Sequence, residues 1–131
     1  MEAETQVAVN PTWMKWVGLI ISILAVLMLL MSAVFKFIKA PEAVQGMEKL
    51  GWDSTKLLTL GILESGCTLI YAFPRTAMLG AILLTGYLGG AVATHVRISD
   101  AFISPIIGGL LVWIGLWLRE PRLRALAPFR S

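Results

Sequence analysis

LLTLGILESGCTLIYAFPRTAMLGAILLTGYLGGAVATHVR, residues 57–97, decides the fold. It holds two membrane-length apolar runs separated by the turn signal Phe73-Pro74-Arg75, and within the first run stands Glu64, the only formal charge inside any long apolar segment. An acidic residue at the centre of a membrane helix costs roughly 2.5–3.5 kcal/mol on insertion scales, so a carboxylate kept there has either a task or a buried partner. Both readings stay open from the sequence.

Outward from that stretch, the chain has 131 residues, of which 57% are hydrophobic and 15% charged, with the charges gathered between apolar runs. That distribution excludes a soluble domain and implies an all-α integral membrane protein. The net charge of +3 comes from basic residues flanking apolar segments, where anionic lipid headgroups rather than nucleic acid are the expected partner. The one cysteine, Cys67, excludes an intrachain disulfide, and there is no metal or haem motif. Redox chemistry, if this chain serves it, comes from a bound molecule or another protein.

Residues 1–12 read as a polar tail; Glu2 and Glu4 without Lys or Arg oppose the basic start of a signal peptide, so the first span is retained. A single domain follows over residues 13–119, with spans at about 14–37, 55–73, 75–97 and 101–119, and residues 120–131 form a basic tail. The first charge-free window, Trp16 to Phe35, extends about 30 Å as a helix, and Trp13 and Trp16 anchor it at headgroup level. Between the first two spans, Pro41 and Glu42 begin a short helix over 41–50 that Gly51 ends. Val44, Met47 and Leu50 lie three apart on it, so it is expected to rest on the membrane, with Trp52 as anchor. Asp53, Ser54 or Thr55 can cap the next span. The predicted fold is a four-helix transmembrane bundle with this interfacial helix between spans one and two.

The side bearing both termini carries Lys15, Arg75, Arg119, Arg122, Arg124 and Arg130, against Lys36, Lys39, Lys49, Lys56 and Arg97 on the other. The cluster after the last span places both termini in the cytoplasm. In the third span Ala77, Ala81, Thr85, Gly89 and Ala93 recur every fourth residue, and Gly86 and Gly90 form a G-x-x-x-G pair, a pattern that lets neighbouring backbones approach. The glycines either serve packing alone or leave room for a ligand.

Depths along the spans bear on that choice. Measured from the outer charges Lys56, Arg97 and Asp100, Glu64 is about 12 Å deep and Tyr87 about 15 Å, with Gly108 and Gly109 at nearly the same level, where absent side chains leave pocket space. His95, about 3 Å deep, belongs to the mouth of such a funnel together with Lys36 and Arg97. Thr68 and Tyr71, at i+4 and i+7 from Glu64, extend a polar stripe inward. Each has a plainer reading as well: Lys36 snorkelling to headgroups, His95 ending a helix, the tyrosines packing, Glu64 pinning a helix interface, Cys67 inert.

The order VFKF at 34–37, Pro41, Glu48-Lys49-Leu50-Gly51-Trp52, Leu60-Gly61-Ile62-Leu63-Glu64, Tyr71, Pro74-Arg75-Thr76, GAILLTGYLGGAVATHVR at 80–97 and WLREPRLRAL at 117–126 resembles the DoxX-like family of small four-helix membrane proteins. The resemblance covers residues 33–126. It implies a bundle with both termini inside and, position by position, points to Lys36, Glu64, Tyr87 and His95 as site residues. The family takes its name from a subunit associated with membrane thiosulfate:quinone oxidoreduction; some relatives are linked to oxidative-stress complexes, and distant animal relatives are receptor-assembly chaperones. No sulfur-chemistry motif is present in this chain.

Two functions follow as expectations. In one, the chain is a small subunit or partner of a membrane redox system in a bacterial inner (cytoplasmic) membrane. A quinone or similar small amphiphile sits around Glu64, Tyr87 or His95 hydrogen-bonds a carbonyl, Glu64 exchanges a proton, and no residue is catalytic by itself. In the other it is a noncatalytic scaffold or assembly factor, with Glu64 pinning an interface and the glycines meeting a partner or a second copy. A solute carrier fits less well, because the spans show neither repeated halves nor a Pro-broken helix.

Overall fold

The computed structural model describes residues 11–126, within which every regular element is helical. The elements are α1 (Thr12–Phe37), α2 (Pro41–Lys49), α3 (Leu57–Ala72), α4 (Ala77–Arg97), α5 (Ile103–Arg119) and α6 (Pro121–Leu126), with single 3-10 turns at Ser54–Lys56 and Pro74–Thr76. The expectations resting on Glu2, Glu4 and Arg130 fall outside the described residues.

Local chemistry sets these boundaries. Pro41 occupies the first turn of α2, where its missing N–H is no loss, and Gly51 ends that segment with a left-handed φ of +84°. Pro74 cannot continue α3, so the chain turns there. The Asp53 carboxylate accepts from the Thr55 N–H at 3.1 Å, an Asx turn ahead of α3; no side chain caps that helix itself. Part of the expected basic tail is helical: α6 folds back so that Arg124 Nη1 donates to the Trp117 and Leu118 carbonyls at 3.0 and 2.8 Å. Those are carbonyls that the end of α5 leaves without helical partners.

The four long helices form a ring in the order α1, α3, α4, α5, and α5 closes on α1; the diagonal pairs make no close backbone approach. Residues turned away from the ring are apolar on every helix, among them Leu24, Leu27, Ile62, Leu69, Ile82, Ile106 and Leu110, whereas Ser22, Glu64 and Thr68 are buried within it. An apolar exterior around a partly polar interior suits lipid rather than water. Two helical stretches, Thr12–Phe37 and Pro74–Arg97, are long and apolar enough to cross a membrane, and Leu57–Ala72 and Ile103–Arg119 are shorter apolar helices.

The ring is pinched at one end and spread at the other. Near the start of α1 and the end of α5, a Cβ on Gly18 would lie 2.8 Å from the Gly115 carbonyl oxygen, and one on Gly115 would strike Ser22. Near the α3–α4 turn, a Cβ on Gly80 would strike the Tyr71 backbone, so glycine is what lets these helices touch. Toward the α2 end side chains replace backbone at the crossings: Met28 Cε lies 3.4 Å from where a Gly108 Cβ would be.

The expected Gly86/Gly90 pair is not a contact within the chain; Gly86, Gly89 and Gly90 face nothing within 4 Å. Four residues advance an α-helix by about 400°, so an every-fourth pattern drifts about 40° per step. Ala77 and Ala81 are accordingly buried, while Thr85, Gly89 and Ala93 have rotated to the outside. The buried face continues instead through Leu84 and Leu88.

Candidate functional site

Where the ring spreads, α1 and α3 bring opposite charges together. Lys36, in the last turn of α1, donates from Nζ to Ser32 Oγ at 2.8 Å, one helical turn back, and to Glu64 Oε1 on α3 at 3.1 Å. Gly61 makes the approach possible, since a Cβ there would lie 3.4 Å from Lys36 Cβ and 3.2 Å from the Phe37 ring. The Glu64 side chain is 4% exposed and that of Lys36 16%, so the pair is close to fully enclosed. Lys36, placed by the sequence at the rim of the funnel or among the headgroups, here contacts the Glu64 carboxylate.

A cavity of about 900 Å³ lies between the four helices under α2 and is lined by Lys36, Glu64, Tyr87, His95 and Gly108. Ser32, Glu42, Met47, Trp52, Thr94 and Ser104 also line it, and Tyr87 is within electrostatic range of Glu64. Gly109 is not part of the wall; about 100° further round the helix than Gly108, its Cβ direction meets Leu88 Cδ1 at 3.9 Å and no longer the Met28 side chain of α1. Arg97 also lies apart, its guanidinium donating to the Leu50 carbonyl at the end of α2.

The polar groups fall into those committed to protein and those facing the cavity. His95 Nδ1 lies 2.7 Å from the Ala91 carbonyl oxygen, which can only accept, so Nδ1 carries hydrogen and Nε2 of the neutral ring is left as an acceptor. Lys36 has three N–H donors, two of them used. Among the described residues the Tyr87 hydroxyl has no hydrogen-bond partner; it is not fully buried, and Tyr87 lines the cavity. One ammonium N–H, one phenol and one imidazole nitrogen therefore remain for a guest.

The inward polar stripe does not extend this site. Thr68 turns back to the Glu64 backbone carbonyl at 2.7 Å. Tyr71 belongs to a second cluster that sequence reasoning missed: its hydroxyl donates to the Val112 carbonyl at 2.7 Å and meets Ser22 Oγ at 3.0 Å. Arg119 Nε donates to the same Ser22 oxygen at 3.0 Å, and its guanidinium lies 5.6 Å from the Tyr71 ring centroid. This cluster sits at the pinched end and ties α1, α3 and α5 together.

Over the cavity, α2 is fastened from both directions. Met47 is buried beneath it, and Lys49 Nζ bonds Asp100 Oδ1 in the α4–α5 connection at 3.2 Å. The hydrogen bond from Lys49 holds the Asp100 carboxyl below the ordinary aspartate range. No group of three or more His, Cys, Asp or Glu able to hold a metal occurs among the described residues.

A helical ring that is apolar outside, with an enclosed ion pair beside a cavity within, is the arrangement of a membrane protein. The chain belongs to the DoxX-like family, whose family model matches residues 20–118, a span that contains Lys36, Glu64, Tyr87, His95 and Gly108. No curated protein and no solved structure matches the chain.

Proposed function

We propose that this chain is a four-helix transmembrane bundle of a bacterial inner membrane, with α2 on the outer face and both termini cytoplasmic. In this reading it binds a quinone or similar small amphiphile beneath α2 in the service of a membrane redox partner. The ring topology supports four spans: α1 and α4 are both long enough to cross, and the chain leaves α1 at the α2 end and starts α4 at the pinched end. Helix α3 has to traverse the same slab between them, and α5 likewise returns.

The observation that carries the ligand reading is the set of uncommitted groups on Lys36, Tyr87 and His95 around a cavity of about 900 Å³, within the size range of small-molecule sites. A carbonyl oxygen suits the third Lys36 N–H or the Tyr87 hydroxyl, and a hydroxyl of the reduced ring suits His95 Nε2. A quinone held there would supply two-electron, two-proton chemistry, while the chain orients the ring and keeps water away. Glu64, with Lys36 as partner, is the group assigned to proton exchange; the electron donor is another protein. Native mass spectrometry of detergent-purified protein tests this. Retained quinone that is weakened in Glu64→Gln is expected; no retained quinone, with none bound on addition, refutes it.

A noncatalytic scaffold is the second reading, favoured by the Lys36–Glu64 bridge itself, which joins α1 to α3 whether or not a ligand is present. In that case Glu64→Gln lowers thermal stability or recovery of a complex and leaves ligand retention untouched.

A further inference from the structure

The spread of the ring opens the cavity sideways. On α1 the wall is made by Met28, Met31 and Phe35, and on α5 by Ser104 and Ile107; Met28 Cε lies 3.4 Å from where a Gly108 Cβ would be, so side chains rather than backbone meet between the two helices at this level. Met31 is 60% exposed, Phe35 48% and Ile107 46%, so these residues border the cavity and the lipid-facing exterior at once. Helix α2 lies over the cavity with Met47 buried, and the Lys49–Asp100 and Arg97–Leu50 contacts hold it in place. The charged groups and Tyr87 sit on the inner side, with Lys36 and Glu64 on α1 and α3 and Tyr87 and His95 on α4, so the wall between α1 and α5 is apolar apart from the Ser32 and Ser104 hydroxyls.

We propose that the gap between α1 and α5 is a tail slot: the ligand is an amphiphile whose polar head lies by Lys36, Tyr87 and His95 and whose hydrocarbon tail runs out between Met31, Phe35 and Ile107 into the bilayer. This rests on the amphiphile reading above and narrows it, because it requires a tail and a route of exchange through the membrane rather than through water. Little hydrophobic energy separates a tail in the slot from one in lipid, since both surroundings are apolar. The slot therefore selects by shape, and a bulky side chain in it discriminates against tailed ligands without disturbing the head.

Two benzoquinones sharing one ring, one with a ten-carbon alkyl tail and one without, are incubated with detergent-purified protein, and retention is measured by native mass spectrometry. The expected result is that Ile107→Trp reduces retention of the tailed ring at least about tenfold and leaves the tailless ring as in the unmodified protein. Leu110→Trp, on the same helix but outside the cavity wall, should change neither. Because Ile107 is exposed, the substitution removes no core contact, and an unchanged melting temperature confirms folding. Equal loss of both rings, or equal retention of both in Ile107→Trp, overturns the slot while the ligand reading stands. Retention of neither ring by the unmodified protein overturns both.

Discussion

Removing the Lys36 ammonium while keeping its alkyl stem, as in Lys36→Met, leaves the Glu64 carboxylate in an enclosed, mostly apolar site without its partner at 3.1 Å. Breaking one side of a buried pair costs about 3–5 kcal/mol. Lys36 ends an outer helix turn and is 16% exposed, so water can partly take its place and the lower end, about 3 kcal/mol, applies. That is more than a hundredfold in the unfolding equilibrium. Adding Glu64→Gln removes the stranded charge and leaves an amide of the same shape, and the double variant should return to within about 1 kcal/mol of the parent. Unfolding in mixed micelles of increasing SDS fraction, followed by tryptophan fluorescence, gives the four corners of the cycle. Parental stability for Lys36→Met, or a double variant no better than the single, would refute the claim that this pair is enclosed and coupled.

The glycine pattern makes a paired prediction: Gly80→Ala places a methyl on the Tyr71 backbone and should destabilise by about 1–3 kcal/mol, whereas Gly86→Ala meets open space and should be neutral or gain up to about 1 kcal/mol of helix propensity. The same unfolding assay reads both. Tyr71→Phe deletes the donor to the Val112 carbonyl and leaves Ser22 with Arg119 alone, for an expected loss of about 1–3 kcal/mol with ligand retention unaltered, since Tyr71 lies outside the cavity wall. The α2 fastening has a defined pH window. Asp100 is held below its ordinary value of 3.8, so its contribution is present above that pH and is lost only as pH falls through the lower folded value. Hydrogen exchange in α2 should therefore show the same protection factors from about pH 5 to 8 and lower ones in Asp100→Asn; loss of protection already between pH 7 and 5 contradicts the assignment.

Which parts were legible from sequence follows from what each signal encodes. Helices and turns were readable because charge and proline mark where helices cannot continue, and Pro41, Gly51 and Pro74 stand at those places in the structure. Depth arithmetic placed Glu64 and Tyr87 at one level, and both line the cavity; it gave Lys36 only as a rim or snorkelling residue, and the contact with Glu64 depends on Gly61 admitting the α1 end. The glycine pattern misled, because a four-residue repeat is not the 3.6-residue period of the helix. Over the length of α4 the difference carries Gly86, Gly89 and Gly90 away from the neighbours that Gly80 touches. The Ser22–Tyr71–Arg119 cluster was invisible for another reason: its members are 49 and 97 residues from Ser22, and only the closing of α5 on α1 brings them together.

The most direct test of the account uses Trp52, which lines the cavity, as a reporter in protein reconstituted into nanodiscs. Titration with an alkyl benzoquinone should give a saturable quenching component that vanishes in Trp52→Phe and needs at least about fivefold more ligand in a Tyr87→Phe, His95→Gln double variant. Quenching that rises linearly without saturation, and equally in all three proteins, would mean that the ring samples only the surrounding lipid and that the cavity beneath α2 does not hold it.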